Sequence, residues 1–160
     1  MLCEDTYYYF GHRLLHHKLL YPWAHKTHHQ YTMNVGIATE YIHPLDYVFL
    51  TLVSIGLGPS ILGKQMHLYT FLMYNMLRTV EGFDAHCGYQ FPWSPVRLLP
   101  LTSKIFSLKT LGPSTFHDYH HSANIGNYAA WFCHWDYIFG TSEVFYKKKF
   151  FAIEPSTKSN

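Results

Sequence analysis

Tyr47-Val48-Phe49-Leu50-Thr51-Leu52-Val53-Ser54-Ile55-Gly56-Leu57-Gly58-Pro59-Ser60-Ile61-Leu62-Gly63 runs for 17 residues without a charged side chain. As a helix rising 1.5 Å per residue it would reach roughly 26 Å, close to the hydrocarbon thickness of a thin cellular bilayer, about 27 Å. Gly56, Gly58, Pro59 and Gly63 weaken a soluble core helix, but glycine and proline are tolerated in helices that sit in lipid. After Lys64 a second uncharged run, 13 residues from Gln65 to Leu77, is interrupted in its apolarity by His67 and Asn75. Together the runs predict a hairpin over about residues 46–80 that spans or re-enters a membrane. The competing reading is a buried hairpin of a soluble α protein, because a typical span needs about 20 apolar residues. Charge favours the membrane. Of 12 Lys and Arg, only Lys64 lies between the two runs, as expected when both flanks stay on the cytoplasmic side.

The flanks read as one unit of 160 residues, with no repeat or linker dividing them. Hydrophobic residues make up 48% and aromatics 19%, and only 14% are charged. A typical soluble domain has about 25% charged residues, so a disordered chain and a coiled coil are excluded. A net charge of +2 lacks the dense basic patch of a nucleic-acid binder, and no nucleic-acid partner is expected. Cys3, Cys87 and Cys133 are odd in number and form no C-x-x-C, which argues against a disulfide framework or a Cys-based zinc site. Local signals predict an all-α chain. Helices are expected over Tyr7 to Leu20, with Gly11 its weak point, and over Trp23 to Tyr31 after the break at Pro22. Pro44 and Asp46 open the hairpin. A helical turn is expected over Thr115 to His121, and an amphipathic helix over Tyr128 to Phe139 with Gly140 as its stop. A single domain over 1–150 with a flexible tail at 151–160 follows.

The 13 histidines are the unusual count. His12 and His16 stand four apart, His25, His28 and His29 form H-K-T-H-H, and His117, His120 and His121 form H-D-Y-H-H. On a helix, residues three and four apart share a face, so each cluster aims its rings at one point. Neutral imidazole suits iron, copper and zinc. A single cluster would equally suit a solvated histidine patch, and His17 and His67 read as ordinary surface or core residues. Eight clustered imidazoles are too many for one four-coordinate zinc, and the chain has neither H-E-x-x-H nor the E-x-x-H of ferritin-like di-iron sites. Two adjacent metals with four or five nitrogens each fit better. Beside a membrane hairpin, such a centre points to oxygen chemistry on a lipid. A soluble zinc hydrolase is the remote rival.

These three boxes, in this order and with the apolar hairpin between the second and third, resemble the fatty acid hydroxylase/sterol desaturase superfamily of membrane non-haem di-iron oxygenases. Further stretches resemble the C-4 methylsterol monooxygenases within it. They are Glu40-Tyr41-Ile42-His43-Pro44-Leu45, Asp84-Ala85-His86-Cys87-Gly88-Tyr89-Gln90-Phe91-Pro92-Trp93, Gly126-Asn127-Tyr128-Ala129 and Trp135-Asp136-Tyr137-Ile138-Phe139-Gly140-Thr141. His28-His29-Gln30 and the Phe91-Pro92-Trp93-Ser94 run also resemble cholesterol 25-hydroxylase. Cys87 stands where methylsterol oxidases usually carry Ser. Family members begin with upstream membrane helices, so the resemblance implies that these residues are the catalytic core of a longer membrane enzyme.

The resemblance implies a membrane-associated helical fold with a cytosolic, His-rich di-iron cap at the endoplasmic reticulum membrane. It implies nine metal ligands, His12, His16, His25, His28, His29, His117, His120 and His121 with His86 added. His43 reads as outer-sphere or structural. Asp84 and Asp118 are candidates to orient imidazole rings, and Asn124 and Asn127 to cap a helix or bridge the metals through water. Glu81 reads as a helical ion-pair partner of Arg78. Phe49, Phe71, Tyr74, Phe83, Trp93 and Trp131 are candidates to line a lipid site, with ordinary packing as the alternative for each. The implied reaction is O2-dependent hydroxylation of an unactivated C–H bond by two iron ions (Fe2+/Fe3+), above all at the C-4 methyl of a methylsterol. Electrons would come from NAD(P)H through cytochrome b5 and its reductase, with other sterol-biosynthesis enzymes as further candidate partners. Another hydroxylation or desaturation on the same site, and an inactive metal-binding membrane protein, remain as alternatives.

Overall fold

The computed structural model of the chain describes residues 2–32, 35–89, 91, 113–142 and 144. Among them every regular element is helical. In chain order these are α1 (Leu2–Leu15), α2 (Tyr21–Ala24), α3 (Pro44–Asp46), α4 (Val53–Leu62), α5 (Leu68–His86), α6 (Pro113–Ala123) and α7 (His134–Ile138). A π-helical stretch, Tyr47–Leu52, joins α3 to α4, and a 3-10 turn, Gly63–Gln65, follows. The result is one rod, Pro44–Gln65, of 22 residues with a hydropathy of 1.6. Among the described residues it is the one helix long and apolar enough to cross a membrane.

The second leg differs from the first. α5 carries Arg78, Glu81 and Asp84 in its C-terminal half, and the two acids are buried there with His86. The hairpin is therefore one apolar rod followed by an amphipathic leg that carries polar groups back toward the interior. Its start is capped by His67, whose ring accepts from Tyr69 N. α1 packs along the rod, and Gly11 explains how closely. A Cβ there would lie 3.0 Å from Leu50 Cδ1, so the residue that weakens the helix also lets the two elements approach.

The interior is polar and much of the exterior apolar. Glu4, Asp5, Asp46, Glu81, Asp136 and most of the clustered histidines are buried, whereas Val48, Phe49, Leu52, Val53, Ile61, Leu62, Leu72, Met73 and Met76 are exposed. A soluble protein arranges these classes the other way round, and a contiguous apolar exterior marks a surface that meets lipid or another chain. The apolar core is small. Tyr8, Leu15 and Leu50 form one cluster, Tyr9, Tyr128 and Ala129 another, and Trp131 with Phe132 a third.

Three helix expectations are corrected. α1 begins at Leu2 and ends at Leu15, because the chain turns at His17, whose N–H bonds Leu14 O and whose carbonyl accepts from Tyr21 N. The stretch after Pro22 divides into α2 and a 3-10 turn at His28–Gln30. Only His134–Ile138 of the Tyr128 to Phe139 stretch is helical. The N–H groups of Tyr128 and Ala129 donate to Asp136, and those of Trp131 and Phe132 to Asp5. Side-chain carboxylates have taken the donors that a helix would have used. Gly140, at φ 67°, ends α7 as expected. The tail at 151–160 lies outside the described residues.

Asp5 is costly where it sits. Burial raises its carboxyl from 3.8 to about 7, with Glu4 and Asp136 adding to the rise and the Trp131 and Phe132 N–H groups opposing it. Between those values the folded chain holds a proton that the unfolded chain has released. This group's contribution to stability therefore falls as pH rises through the window and is flat above about 7. Asp5→Asn is expected to remove that dependence while keeping Oδ1 as acceptor. Denaturant unfolding at a series of pH values should show the variant gaining on the wild type from about pH 4 to about 7. A difference that does not change with pH would contradict the assignment.

Candidate metal centre

The three histidine clusters meet. α1 presents His12 and His16, the turns after α2 present His25, His28 and His29, the end of α5 presents His86, and α6 presents His117, His120 and His121. They sort into two groups, His12, His16, His25, His29 and His120, and His28, His86, His117 and His121. Within each group one ring nitrogen per residue lies within 4.8 Å of all the others. All nine residues singled out in the sequence as ligands are brought together, five in one group and four in the other.

Ring orientation tests whether a metal fits. His12 Nδ1 sits 2.8 Å from Tyr128 O, His86 Nδ1 2.8 Å from Gly82 O, His120 Nδ1 2.5 Å from Gly126 O and His121 Nδ1 3.2 Å from Tyr31 O. A carbonyl only accepts, so each of these Nδ1 atoms carries the proton and its Nε2 presents a lone pair. His28 Nδ1 faces Tyr41 O at 3.4 Å in the same sense. His25 Nδ1 donates to Asp46 Oδ2 at 2.6 Å.

The Nε2 atoms so aimed meet one another. His86 Nε2 lies 3.2 Å from His28 Nε2 and 2.9 Å from His117 Nε2, His121 Nε2 lies 3.1 Å from His117 Nε2, and His120 Nε2 lies 3.1 Å from His29 Nε2. The Nε2 atoms of His12, His16 and His25 are buried with no hydrogen-bond partner. His28 and His86 both carry the proton on Nδ1, so the lone pairs of their facing Nε2 atoms repel unless a cation sits between them. At a metal–nitrogen distance of about 2.1 Å, neighbouring nitrogens of a six-coordinate ion stand about 3 Å apart. The donor set therefore fits a metal ion in each group.

Burial also sets the charge state. Desolvation, followed by the neighbouring imidazoles, pushes His12, His25, His28, His117 and His120 well below the ordinary histidine value. The same burial takes His16 and His86 down to about 3 and His121 to about 4. Neutral imidazole is the form that binds metal.

Other candidates fall in different places. His43 caps α3 by accepting from Leu45 N, and His17 accepts from Leu19 N. Asn124, at φ 55°, follows the last residue of α6 and donates its N–H to His120 O, the capping role. Asn127, also at φ 55°, donates Nδ2 to Phe116 O at 2.9 Å and leaves Oδ1 buried and unpaired. Asp84 is buried near the end of α5, and Asp118 is half-buried on α6. Asp46 is a carboxylate seated on a ligand ring, that of His25, and the sequence marks it only as an opener of the hairpin. An acidic residue at the head of an apolar run was the available signal, because such a group is expensive in lipid.

Glu81 does pair with Arg78, at 3.5 Å, but Arg78 holds Glu4 more closely, with Nε 2.5 Å from Oε1. Tyr74 OH donates to Glu4 Oε2 at 2.9 Å.

A cavity of about 90 Å³ adjoins the four-histidine group. His28, His86 and His117 form one wall, and Leu50, Thr51 and Ile55 of the apolar rod form another. Tyr8, Ile42, Ala85 and Ala130 add apolar surface, and Thr39, Arg78 and Glu81 add polar groups. None of the described aromatics expected to line a lipid site takes part. Phe49, Phe71 and Phe83 are exposed, Tyr74 is tied to Glu4, and Trp131 packs with Phe132. Exposed aromatics on an apolar exterior meet the surroundings rather than the site. Trp93 lies outside the described residues.

Comparison with known proteins agrees with this architecture. The fatty acid hydroxylase family matches residues 1–141. Methylsterol monooxygenase 2-1 of Arabidopsis thaliana is 43% identical over 154 residues, covering 92% of this chain and 56% of that protein. The very-long-chain aldehyde decarbonylase GL1-11 of Oryza sativa subsp. indica is 42% identical over 154 residues, covering 94% and 53%. A putative methylsterol monooxygenase of Dictyostelium discoideum is 39% identical over 148 residues, covering 92% and 50%. The chain thus spans about half the length of the curated relatives it matches. No solved structure matches it.

Proposed function

We propose that this chain, which belongs to the fatty acid hydroxylase family, is the catalytic core of a membrane monooxygenase that oxidises the C-4 methyl group of a methylsterol. The observation that carries the reading is the five-plus-four arrangement of imidazoles beside a cavity walled by the apolar rod. In this reading His12, His16, His25, His29 and His120 hold one iron ion and His28, His86, His117 and His121 the other. Residues 1–150 form one catalytic domain. The rod lies in the endoplasmic reticulum membrane and the histidines face the cytosol. Bound iron supplies the reduction of O2 and the removal of hydrogen from an unactivated carbon, and the balance takes two electrons and two protons for each hydroxyl formed. Electrons come from NAD(P)H through cytochrome b5 and its reductase, and neighbouring sterol-biosynthesis enzymes are further partners.

The protein's own share is ligation, orientation and exclusion of water. Leu50 and Ile55 carry the apolar surface of the rod into the cavity, giving a lipid a path from the bilayer to His28, His86 and His117. Tyr8, Ile42, Ala85 and Ala130 enclose the reacting end, and Glu40, Asp46, Arg78 and Glu81 supply the wall's ionisable groups. Burial keeps the imidazoles neutral and ready to bind.

A second reading follows from the relatives named very-long-chain aldehyde decarbonylases, which favour a long acyl aldehyde as substrate. Expression in membranes lacking methylsterol oxidase, followed by sterol and aldehyde profiling, separates the two. The proposal expects 4-methylsterols to disappear. Persistent 4-methylsterols alongside consumed aldehyde would establish the second reading, and a new side-chain hydroxysterol would place the chain with 25-hydroxylase-like enzymes.

A further inference from the structure

We infer that Asp136 and Asp5 are positioning residues for the five-histidine group, and that they make it the more firmly held of the two metal positions. The inference rests on the reading of the nine histidines as metal ligands.

The argument runs through one short segment, residues 126–132. Its carbonyls orient two ligand rings, Gly126 O receiving His120 Nδ1 and Tyr128 O receiving His12 Nδ1. Its N–H groups are held by two carboxylates that are fully buried. Tyr128 N and Ala129 N donate to Asp136 Oδ1 and Oδ2 at 2.9 and 2.7 Å. Trp131 N and Phe132 N donate to Asp5 Oδ1 at 2.8 and 3.1 Å. Asn127 N bonds Thr141 O at 3.2 Å, and Thr141 Oγ1 donates to Asp136 Oδ1 at 2.5 Å. Gly126 is fixed as well, because at φ 70° a Cβ would fall 2.3 Å from Thr141 O. The peptide unit that aims His12 is thus held by Asp136 through Ala129 N, and the one that aims His120 by Thr141 O through Asn127 N, with Asp136 receiving the Thr141 hydroxyl.

A third carboxylate, Asp46, acts on His25 directly, so three of the five rings trace back to a buried acid. In the other group His28, His86 and His121 lean on the main-chain carbonyls of Tyr41, Gly82 and Tyr31. Five donors with pinned orientation hold an ion more firmly than four, since partners that fix ligand rings govern metal affinity. The cavity adds a second asymmetry, with three of the four-histidine group on its wall and only His25 of the other five. The firmly held position is turned away from the cavity, and the one with fewer donors faces it.

The test titrates Co2+ into the metal-free, detergent-solubilised chain and reads visible absorption. It uses two backgrounds. His86→Ala leaves the four-histidine group three donors and the other group its five, whereas His16→Ala together with His29→Ala leaves the five-histidine group three and the other group its four. Asp136→Asn keeps the side chain's shape but turns an amide N–H toward the N–H of Tyr128 or Ala129. It is expected to weaken Co2+ binding about tenfold or more in the His86→Ala background and to leave it within about twofold in the His16→Ala/His29→Ala background. Thr141→Ala, which removes the hydroxyl that Asp136 shares with Tyr9, should give a smaller loss in the His86→Ala background. Equal losses in both backgrounds, or none in either, would overturn the positioning role, and tighter Co2+ binding in the His16→Ala/His29→Ala protein would overturn the ranking. If neither background takes up Co2+, the metal reading itself falls and the inference with it.

Discussion

Replacing His28 with alanine is expected to lower turnover by more than about a hundredfold, beyond the cost of losing an outer-sphere partner. His28 belongs to the four-histidine group and lines the cavity, so one substitution removes a donor at the position that faces the cavity. The ring is 3% exposed and its Nε2 lies 3.2 Å from that of His86, which leaves no solvent-side group to substitute for it. Bound metal should fall toward a single ion per chain, because the five-histidine group keeps all its donors. Metal analysis and O2 uptake on the same preparation check both parts. Unchanged turnover with unchanged metal content would remove the dimetal mechanism from consideration.

The largest expected effect on stability comes from Glu4. Its side chain is fully buried and serves two partners, Arg78 Nε at 2.5 Å and Tyr74 OH at 2.9 Å. Among the described residues, Glu4→Ala leaves Arg78 with the 3.5 Å contact to Glu81 and the Tyr8 ring, 5.7 Å below its guanidinium. Breaking a buried pair by deleting one partner costs about 3–5 kcal/mol, or roughly 10 °C in the unfolding midpoint of a chain this size. The measurement is thermal unfolding of the metal-free protein, which separates this effect from any loss of metal. Removing both charges, with Glu4→Leu and Arg78→Met together, should recover much of the loss, since an apolar replacement of a buried pair is often neutral or better. A midpoint unmoved by Glu4→Ala would mean that water, not Glu4, satisfies Arg78.

The two halves of the site were not equally legible in the sequence. Ligand spacing could be read because it is local. His117, His120 and His121 lie on one helix, where positions three and four apart share a face whatever the rest of the chain does. The apolar rod could be read for the same reason. The carboxylates that orient the rings left no such mark. Asp46 is 21 residues from His25, and Asp5 is 126 residues from Trp131, distances at which no periodicity links the partners. The same long-range bonds explain the helix wrongly expected from Tyr128. Its residues have helical periodicity, but their N–H groups go to Asp136 and Asp5. The cavity was missed because an aromatic exposed to lipid and one lining a site are the same letter in a sequence.

The nine histidines are drawn from α1, the turns after α2, the end of α5 and α6. Each metal position would therefore act as a multi-point cross-link, joining parts of the chain as distant as His12 and His120. A clip that closes so long a loop removes more freedom from the unfolded chain than a short one, though the gain grows only slowly with length. Metal loading then becomes a step of folding as well as of activation. A cell short of the metal that these histidines bind would face a shortage of the folded protein itself, through the clearance of chains whose ends had not been tied.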